Sequence, residues 1–315
     1  MYKNSASEIP KIGIPQKKKL DNITKNFDLY LFILPAFILT FCFHYIPIYG
    51  VQIAFKNFSP ARGIWGSPWV GLSNFIRFFN TYQSKIVIKN TLLLSIYSIA
   101  INFPFPIMLA LMMNTMVNQR FKKTLQTITY MPYFISVVVL VSMVSIYLSP
   151  TGLFGNFMRA LGKEPGNLLG KPKVFYHTYV WSGAWQQLGW GSIIYLAALS
   201  GVDPTLYEAA TIDGASKWQK IIHIDLACIA PTCIILLILS AGRILNIGFE
   251  KAFLMQNPLN LAESEVINTY IYKVGIQSTQ YSFSSAVGLF NNGINFVILS
   301  LVNWISRKVS ETSLW

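Results

Sequence analysis

The sequence predicts an all-α polytopic membrane protein with about six spanning helices. Three observations predict it. Hydrophobic residues make up 53% of the 315, charged residues only 12%, and the mean hydropathy is +0.45. A soluble domain carries roughly 25% charged residues, so half that density leaves too little polar surface for water. The apolar residues gather in runs near the length of about 20 residues that a helix needs to cross a bilayer core. One long polar stretch, Tyr207 to Pro231, keeps helical spacing between two of those runs and must be a loop with structure of its own.

The formal charge of +13 does not point to nucleic acid. The lysines concentrate at the ends of apolar runs, and no basic helix face is interleaved with stacking aromatics. Anchoring and orientation in membrane lipid account for them better. Cys42, Cys228 and Cys233 lie within apolar runs without CxxC spacing and read as small buried residues, not as a disulfide or metal set. The histidines at 44, 177 and 223 share no motif, and acidic residues are few with none centred in a span. Neither a catalytic nor a metal site is expected. Gly166 to Lys171 resembles a phosphate loop, but it is one residue short and Pro172 stands where Ser or Thr would hold magnesium. No nucleotide or other cofactor is therefore expected on this chain.

In chain order, residues 1–28 hold six lysines and no apolar periodicity, which predicts a cytoplasmic tail that sets the first span's N-terminus inside. The first apolar run is long enough to remain as an anchor rather than a cleaved signal. Span one is expected over Leu29–Phe55, with Pro35 and Pro47 tolerated by neighbouring helices. A segment on the outer side follows, with interfacial tryptophans at 65 and 69. Its short helix over Asn74–Phe79 should turn Phe75, Ile76, Phe78 and Phe79 inward. Span two covers Lys89–Met113 and span three Thr124–Leu148, joined by an inner basic turn at Arg120, Lys122 and Lys123. A glycine-rich outer loop leads to span four, Val174–Ser200. Span five is expected over Cys228–Phe249 and span six over Ser282–Ile305, with Arg307 and Lys308 on the inner face. The partition is thus an N-terminal tail 1–28, a transmembrane domain 29–306 holding a loop at about 203–227, and a C-terminal tail 307–315, both ends cytoplasmic. Totals of Lys and Arg differ little between the sides, so the two short clusters nearest the spans decide the orientation.

The polar loop has its own start and stop signals. Asp203 before Pro204 reads as an N-cap with proline at the first helical position. The helix should run to about Asp213 and stop at Gly214, which accepts the left-handed turn that a side chain resists. Ser216 with Gln219 reads as a capping box opening a second helix. Two short helices joined at a glycine should form an L-shaped knob.

Glu208-Ala209-Ala210, then Asp213-Gly214-Ala215, then Ile224 and Pro231 resemble the EAA loop of binding-protein-dependent ABC importer permeases. The proline expected four residues before Pro231 is Ala227 here. The resemblance implies a type I ABC importer permease fold in a bacterial cytoplasmic membrane, with the loop as the coupling helix. Glu208 would anchor it to a cytoplasmic ATPase by a charged hydrogen bond. Leu206, Ala209, Ala210 and Trp218 would fill the ATPase groove, Gly214 would keep the bend, and Asp213 belongs to the same ATPase-coupling set. Segments Gly242–Pro258 and Ala286–Phe290, with the ending Ser313-Leu314-Trp315, resemble the LplB-type branch of carbohydrate permeases. That branch implies oligosaccharides or polysaccharide fragments as cargo. It also implies a second, non-identical permease, two ATPase subunits carrying the ATP and magnesium, and an extracytoplasmic solute-binding protein. A permease of this architecture for phosphate, peptide or amino acid is the alternative, as is a membrane scaffold outside transport.

Polar groups within spans are costly in lipid and usually face the bundle or a cavity. On that ground Gln186 and Gln187 on span four, Arg243 and Asn246 on span five, and Asn291, Asn292 and Asn295 on span six are candidate pathway residues. Planar amides match pairs of sugar hydroxyls, and Trp185 and Trp190 offer faces for a pyranose ring. For each the plainer role is interhelical hydrogen bonding or interfacial anchoring.

Overall fold

The computed structural model describes residues 26–310, with side chains to Lys308. Most of the expected N-terminal tail and the ending Ser313–Trp315 lie outside the described residues. The described chain falls into two units, Met1–Gln52 and Ile53–Trp315. In the first, helix α1 (Phe27–Thr40) continues through a π-helical turn, Phe41–Tyr45, into a 3-10 segment, Ile46–Phe55. Side chains from 26 to 49 are exposed, as suits a helix that is apolar on every face. Phe37, Phe41 and Tyr45 stack at i, i+4 spacing, with ring centroids 6.2 and 5.9 Å apart.

In the second unit, Lys56 pairs with Trp69 in a lone antiparallel bridge, and its ammonium lies 4.6 Å from the Trp69 ring centre. Helix α2 (Ser73–Asn80) follows. The expectation that four of its side chains turn inward holds for Phe78 and in part for Phe75; Ile76 and Phe79 are exposed. The helix docks by one narrow edge, where Phe78 meets Tyr270, Phe283 and Phe290.

Helices α3 (Tyr82–Asn102) and α4 (Pro104–Asn114) form span two, bent at Phe103 where Pro104 opens a new helix. Span three is not continuous, contrary to the Thr124–Leu148 expectation. Helix α5 (Gln119–Tyr130) ends at a 3-10 turn holding Pro132, and α6 (Val137–Leu148) restarts at Ser136, whose hydroxyl accepts from the Val139 N–H. The proline ring and the serine cap break the helix together. The following loop contains α7 (Leu153–Ala160).

Helix α8 (Pro172–Ser200) has 29 residues, which at 1.5 Å each is about 43 Å, and it packs against α3, α4 and α5. Gly189 makes the α5 crossing possible: a Cβ there would sit 2.1 Å from the Thr129 carbonyl oxygen. Among the described residues, five helices are long and apolar enough to cross a membrane: Phe27–Phe55, Tyr82–Asn114, Val137–Ala160, Lys217–Ala241 and Tyr281–Lys308. The expected sixth, α8, has the length but not the apolarity. Its polar residues are tolerated because neighbouring helices wrap it, and Phe175, Tyr179 and Val180 sit in one buried cluster with Leu94, Ala252 and Val266.

After α9 (Pro204–Ile212) comes α10 (Lys217–Ala241), then α11 (Phe249–Met255), α12 (Ile267–Tyr272) and α13 (Tyr281–Ser310). Span five therefore starts earlier and ends earlier than expected. It stops at Ala241, and Gly242 to Leu245 form turns, so Arg243 and Asn246 lie beyond the helix rather than within it. The physical cause is on α13. Asn295 Oδ1 accepts from the Leu245 N–H at 3.0 Å, and Asn291 Nδ2 donates to Asn246 Oδ1 at 3.0 Å. The first bond satisfies a backbone N–H that a continuing helix would have used, and the second holds the Asn246 side chain against α13.

Candidate functional site

Two sites follow from this arrangement, an elbow at α9 and α10 and a polar groove among α3, α8 and the end of α10.

At the elbow, the Asp203 carboxylate accepts from the Thr205 N–H at 2.9 Å and caps α9, with Pro204 at its first position. Those hydrogen bonds hold the Asp203 carboxyl below the usual carboxylate range. At the other end the Ala215 N–H reaches the Ala210 carbonyl at 2.8 Å and the Gly214 N–H reaches Thr211 at 3.1 Å. This is a Schellman closure with Gly214 at φ +74°, the left-handed position that glycine takes without a Cβ penalty. Ser216 and Gln219 then exchange both bonds of a capping box. The second arm is not a separate short helix as expected. It runs on through a π-helical turn, Ile221–Asp225, into the span, so the elbow is the tip of α10 itself.

Two ties bind the elbow to the helices. Lys220 Nζ donates to Thr211 Oγ1 at 2.7 Å across the bend. Tyr207 donates its hydroxyl to Asp225 Oδ1, which also accepts from Asn114 Nδ2 at 3.2 Å. Asp225 is 1% exposed, so these neutral donors satisfy a buried carboxylate at the root of the span. Burial first, and then Asp225, push the Tyr207 phenol up to about 12. Of the residues singled out in the sequence, Leu206, Glu208, Ala209, Asp213, Gly214 and Trp218 are exposed. Ala210 is half-buried and faces a cavity inside the bend with Ala215, Gln219 and His223. Ile212, 87% exposed, was not singled out; an isoleucine closing a polar loop helix was the available signal.

The groove consists of two adjoining cavities of about 190 and 330 Å³ that share Ser98, Asn102, Gln187 and Ser240 in their linings. Arg243, Asn246 and Lys251 complete the first. Asn102 Oδ1 is buried without a partner. Such a lining can meet hydroxyl pairs with amides and hydroxyls, and anions with two cations.

Among the expected pathway residues, Gln187, Arg243 and Asn246 line it. Gln186 is buried and donates to the Ile135 carbonyl at 2.7 Å, which fixes the break before α6. Asn291 and Asn295 are buried and hold the turn after α10, and Asn292 is exposed elsewhere on α13. Trp190 stacks on Tyr133 at 4.4 Å, and Trp185 is half-exposed on α8 outside both linings. The missed residues carried a signal. Thr91, Ser95, Ser98 and Asn102 recur at offsets of four, three and four on an otherwise apolar helix. Lys251 had none, since it reads as an ordinary loop lysine.

Known proteins resemble this chain in sequence and in fold. The family described as "Binding-protein-dependent transport system inner membrane component" matches residues 102–311. The chain is 39% identical over 95% of its length to the Bacillus subtilis polygalacturonan/rhamnogalacturonan transport system permease protein YteP, covering 94% of that protein. It is 37% identical to Protein LplB of the same organism, over 91% of each chain. A chain in the crystal structure of a bacterial ABC transporter involved in import of the acidic polysaccharide alginate superposes with a TM-score of 0.86. That chain is 38% identical, and the match covers 93% of this chain and 99% of that one. The same transporter, crystallised with an alginate pentasaccharide-bound periplasmic protein, matches equally well.

Proposed function

Since this chain belongs to the family of binding-protein-dependent transport system inner membrane components, we propose that it forms one half of the path by which an ATP-driven importer moves oligosaccharides or polysaccharide fragments into the cell. A second, non-identical permease supplies the other half. Two cytoplasmic ATPase subunits carry ATP and magnesium, and an extracytoplasmic binding protein delivers the cargo. Both chain ends and the elbow lie on the cytoplasmic side. This chain binds no cofactor and catalyses no reaction of its own.

The observation that carries the reading is the elbow. Its bend is fixed by two caps and Gly214, its exposed residues include Leu206, Glu208, Ile212 and Trp218, and its root is tied to α4 and α10 through Asp225. A rigid projection with exposed apolar and acidic groups, joined stiffly to spans, suits the transmission of movement from a docked motor. Glu208 anchors it, and Leu206, Ala209, Ile212 and Trp218 enter the motor's groove. The hydroxyl- and amide-lined groove supports sugar as the cargo, as do the polysaccharides named for the relatives.

The test is uptake of labelled oligosaccharide into proteoliposomes holding the two permeases and the ATPase, with the binding protein added. Glu208→Lys should abolish uptake and ATPase co-purification while the permease stays in the membrane. Normal uptake by that variant, or uptake without the ATPase, would overturn the reading. Competition by phosphate, peptides or amino acids instead of sugars would move the cargo to another class.

A further inference from the structure

The charge of the groove is unbalanced, and this deepens the oligosaccharide reading on which it rests. Lys251 is 8% exposed; its ammonium donates to the Tyr179 carbonyl at 2.8 Å and lies 4.7 Å from the Tyr179 ring centre. Gly183 leaves it room, since a Cβ there would come within 3.0 Å of Nζ. A carbonyl and a ring face solvate an ammonium in part but bring no negative charge. Arg243 lines the same cavity, and no aspartate or glutamate lines either cavity. Among the described residues the one ion pair, Lys273 with Glu265, lies elsewhere. Buried charges are ordinarily paired, because desolvation is costly without a counter-charge.

We propose that Arg243 and Lys251 form a carboxylate subsite, so that the cargo of this importer is an acidic oligosaccharide built from hexuronate units. Arg243 offers a planar fork that fits a carboxylate in two hydrogen bonds, and Lys251 a point charge behind it. Ser98, Asn102 and Gln187 meet the ring hydroxyls. The anion supplies the charge that the groove lacks, and a neutral sugar of the same size leaves Lys251 unpaired.

The assembled importer, in proteoliposomes with its binding protein, is offered trigalacturonate and the methyl ester of the same trisaccharide. At pH 6, Arg243→Gln and Lys251→Met should each lower trigalacturonate uptake about tenfold or more, and by a factor several times larger than they lower uptake of the fully esterified sugar. The binding protein is common to all variants, so its own preference cancels in the comparison. A second readout needs no binding protein. In a background lacking Cys42, Cys228 and Cys233, millimolar trigalacturonate should protect a Ser98→Cys thiol from alkylation, and either charge variant should remove the protection. Arg243 is exposed, so its variant decides the matter even where Lys251→Met fails to assemble. Equal loss for both probes, or no loss, overturns the proposal. So does loss of the second permease on purification of Arg243→Gln, which would mean that the cations pair with that subunit. Uptake of a neutral oligosaccharide without either uronate probe overturns this inference and leaves the import reading standing; uptake of no oligosaccharide overturns the import reading.

Discussion

The hydroxyl of Tyr207, in the first arm of the elbow, is bonded to the carboxylate of Asp225 at the root of the span that α10 forms. Eighteen residues separate them in sequence, and no cation is involved. Tyr207→Phe removes one of the two donors to a buried carboxylate, at a cost of about 1–3 kcal/mol. We expect a lower Tm for the assembled importer and ATP hydrolysis that continues while uptake falls. Measuring both in one proteoliposome preparation checks it. Unchanged uptake per ATP would show that the tie carries no movement.

Gly214 closes the elbow with φ +74°. An L-residue there is strained by about 1–2 kcal/mol, more when β-branched. Gly214→Val should therefore reduce ATPase co-purification and uptake strongly, whereas Gly214→Asn should retain much of both. Open space surrounds the site, so a clash offers no competing explanation.

Gly189 and Gly191 are two residues apart on α8 and should respond differently to alanine. At 189 the added carbon meets the fixed backbone of Thr129 at 2.1 Å, and at 191 it meets the Pro106 ring at 3.2 Å. Gly189→Ala should cost several-fold in membrane-inserted, assembled protein, while Gly191→Ala should be close to wild type. Fluorescence size-exclusion profiles of the two variants provide the measurement.

Burial pushes the Lys251 ammonium down to about 7. Below that pH it is a cation, and above it the positive charge facing the cavity is lost. Trigalacturonate uptake should therefore fall between about pH 6 and 8, and the Lys251→Met profile should be flat over the same interval. Stability moves the other way. The folded state binds fewer protons than the unfolded chain between about 7 and 10.5, so unfolding free energy rises with pH across that window. Thermal unfolding at pH 7 and 9 without substrate gives the sign.

The elbow was legible because its signals are local. Asp203-Pro204, Gly214 and the Ser216–Gln219 pair act within a few residues, and each does in the structure what its chemistry dictates. The helix ends that build the groove were not. Span five stops because Asn295, fifty residues on, accepts from the Leu245 N–H, and no local pattern contains that bond. Polarity within a span did not by itself separate Gln187, Arg243 and Asn246, which line the groove, from Gln186, Asn291 and Asn295, whose amides are engaged outside it by backbone and amide partners. Polar stripes at helical spacing proved the better guide, as Ser98 and Asn102 show.

The π-helical turn at Ile221–Asp225 lies between the elbow and the rest of α10. Such a turn holds one residue more than an α-helical turn. Deleting a single residue within it would restore ordinary winding, and because five residues of π winding turn the chain about as far as four of α winding, everything before it would keep its bearing around the axis of α10. The same deletion in the α-helical stretch that follows has no such reserve and would swing the elbow by about 100°, so the two deletions should differ sharply in uptake.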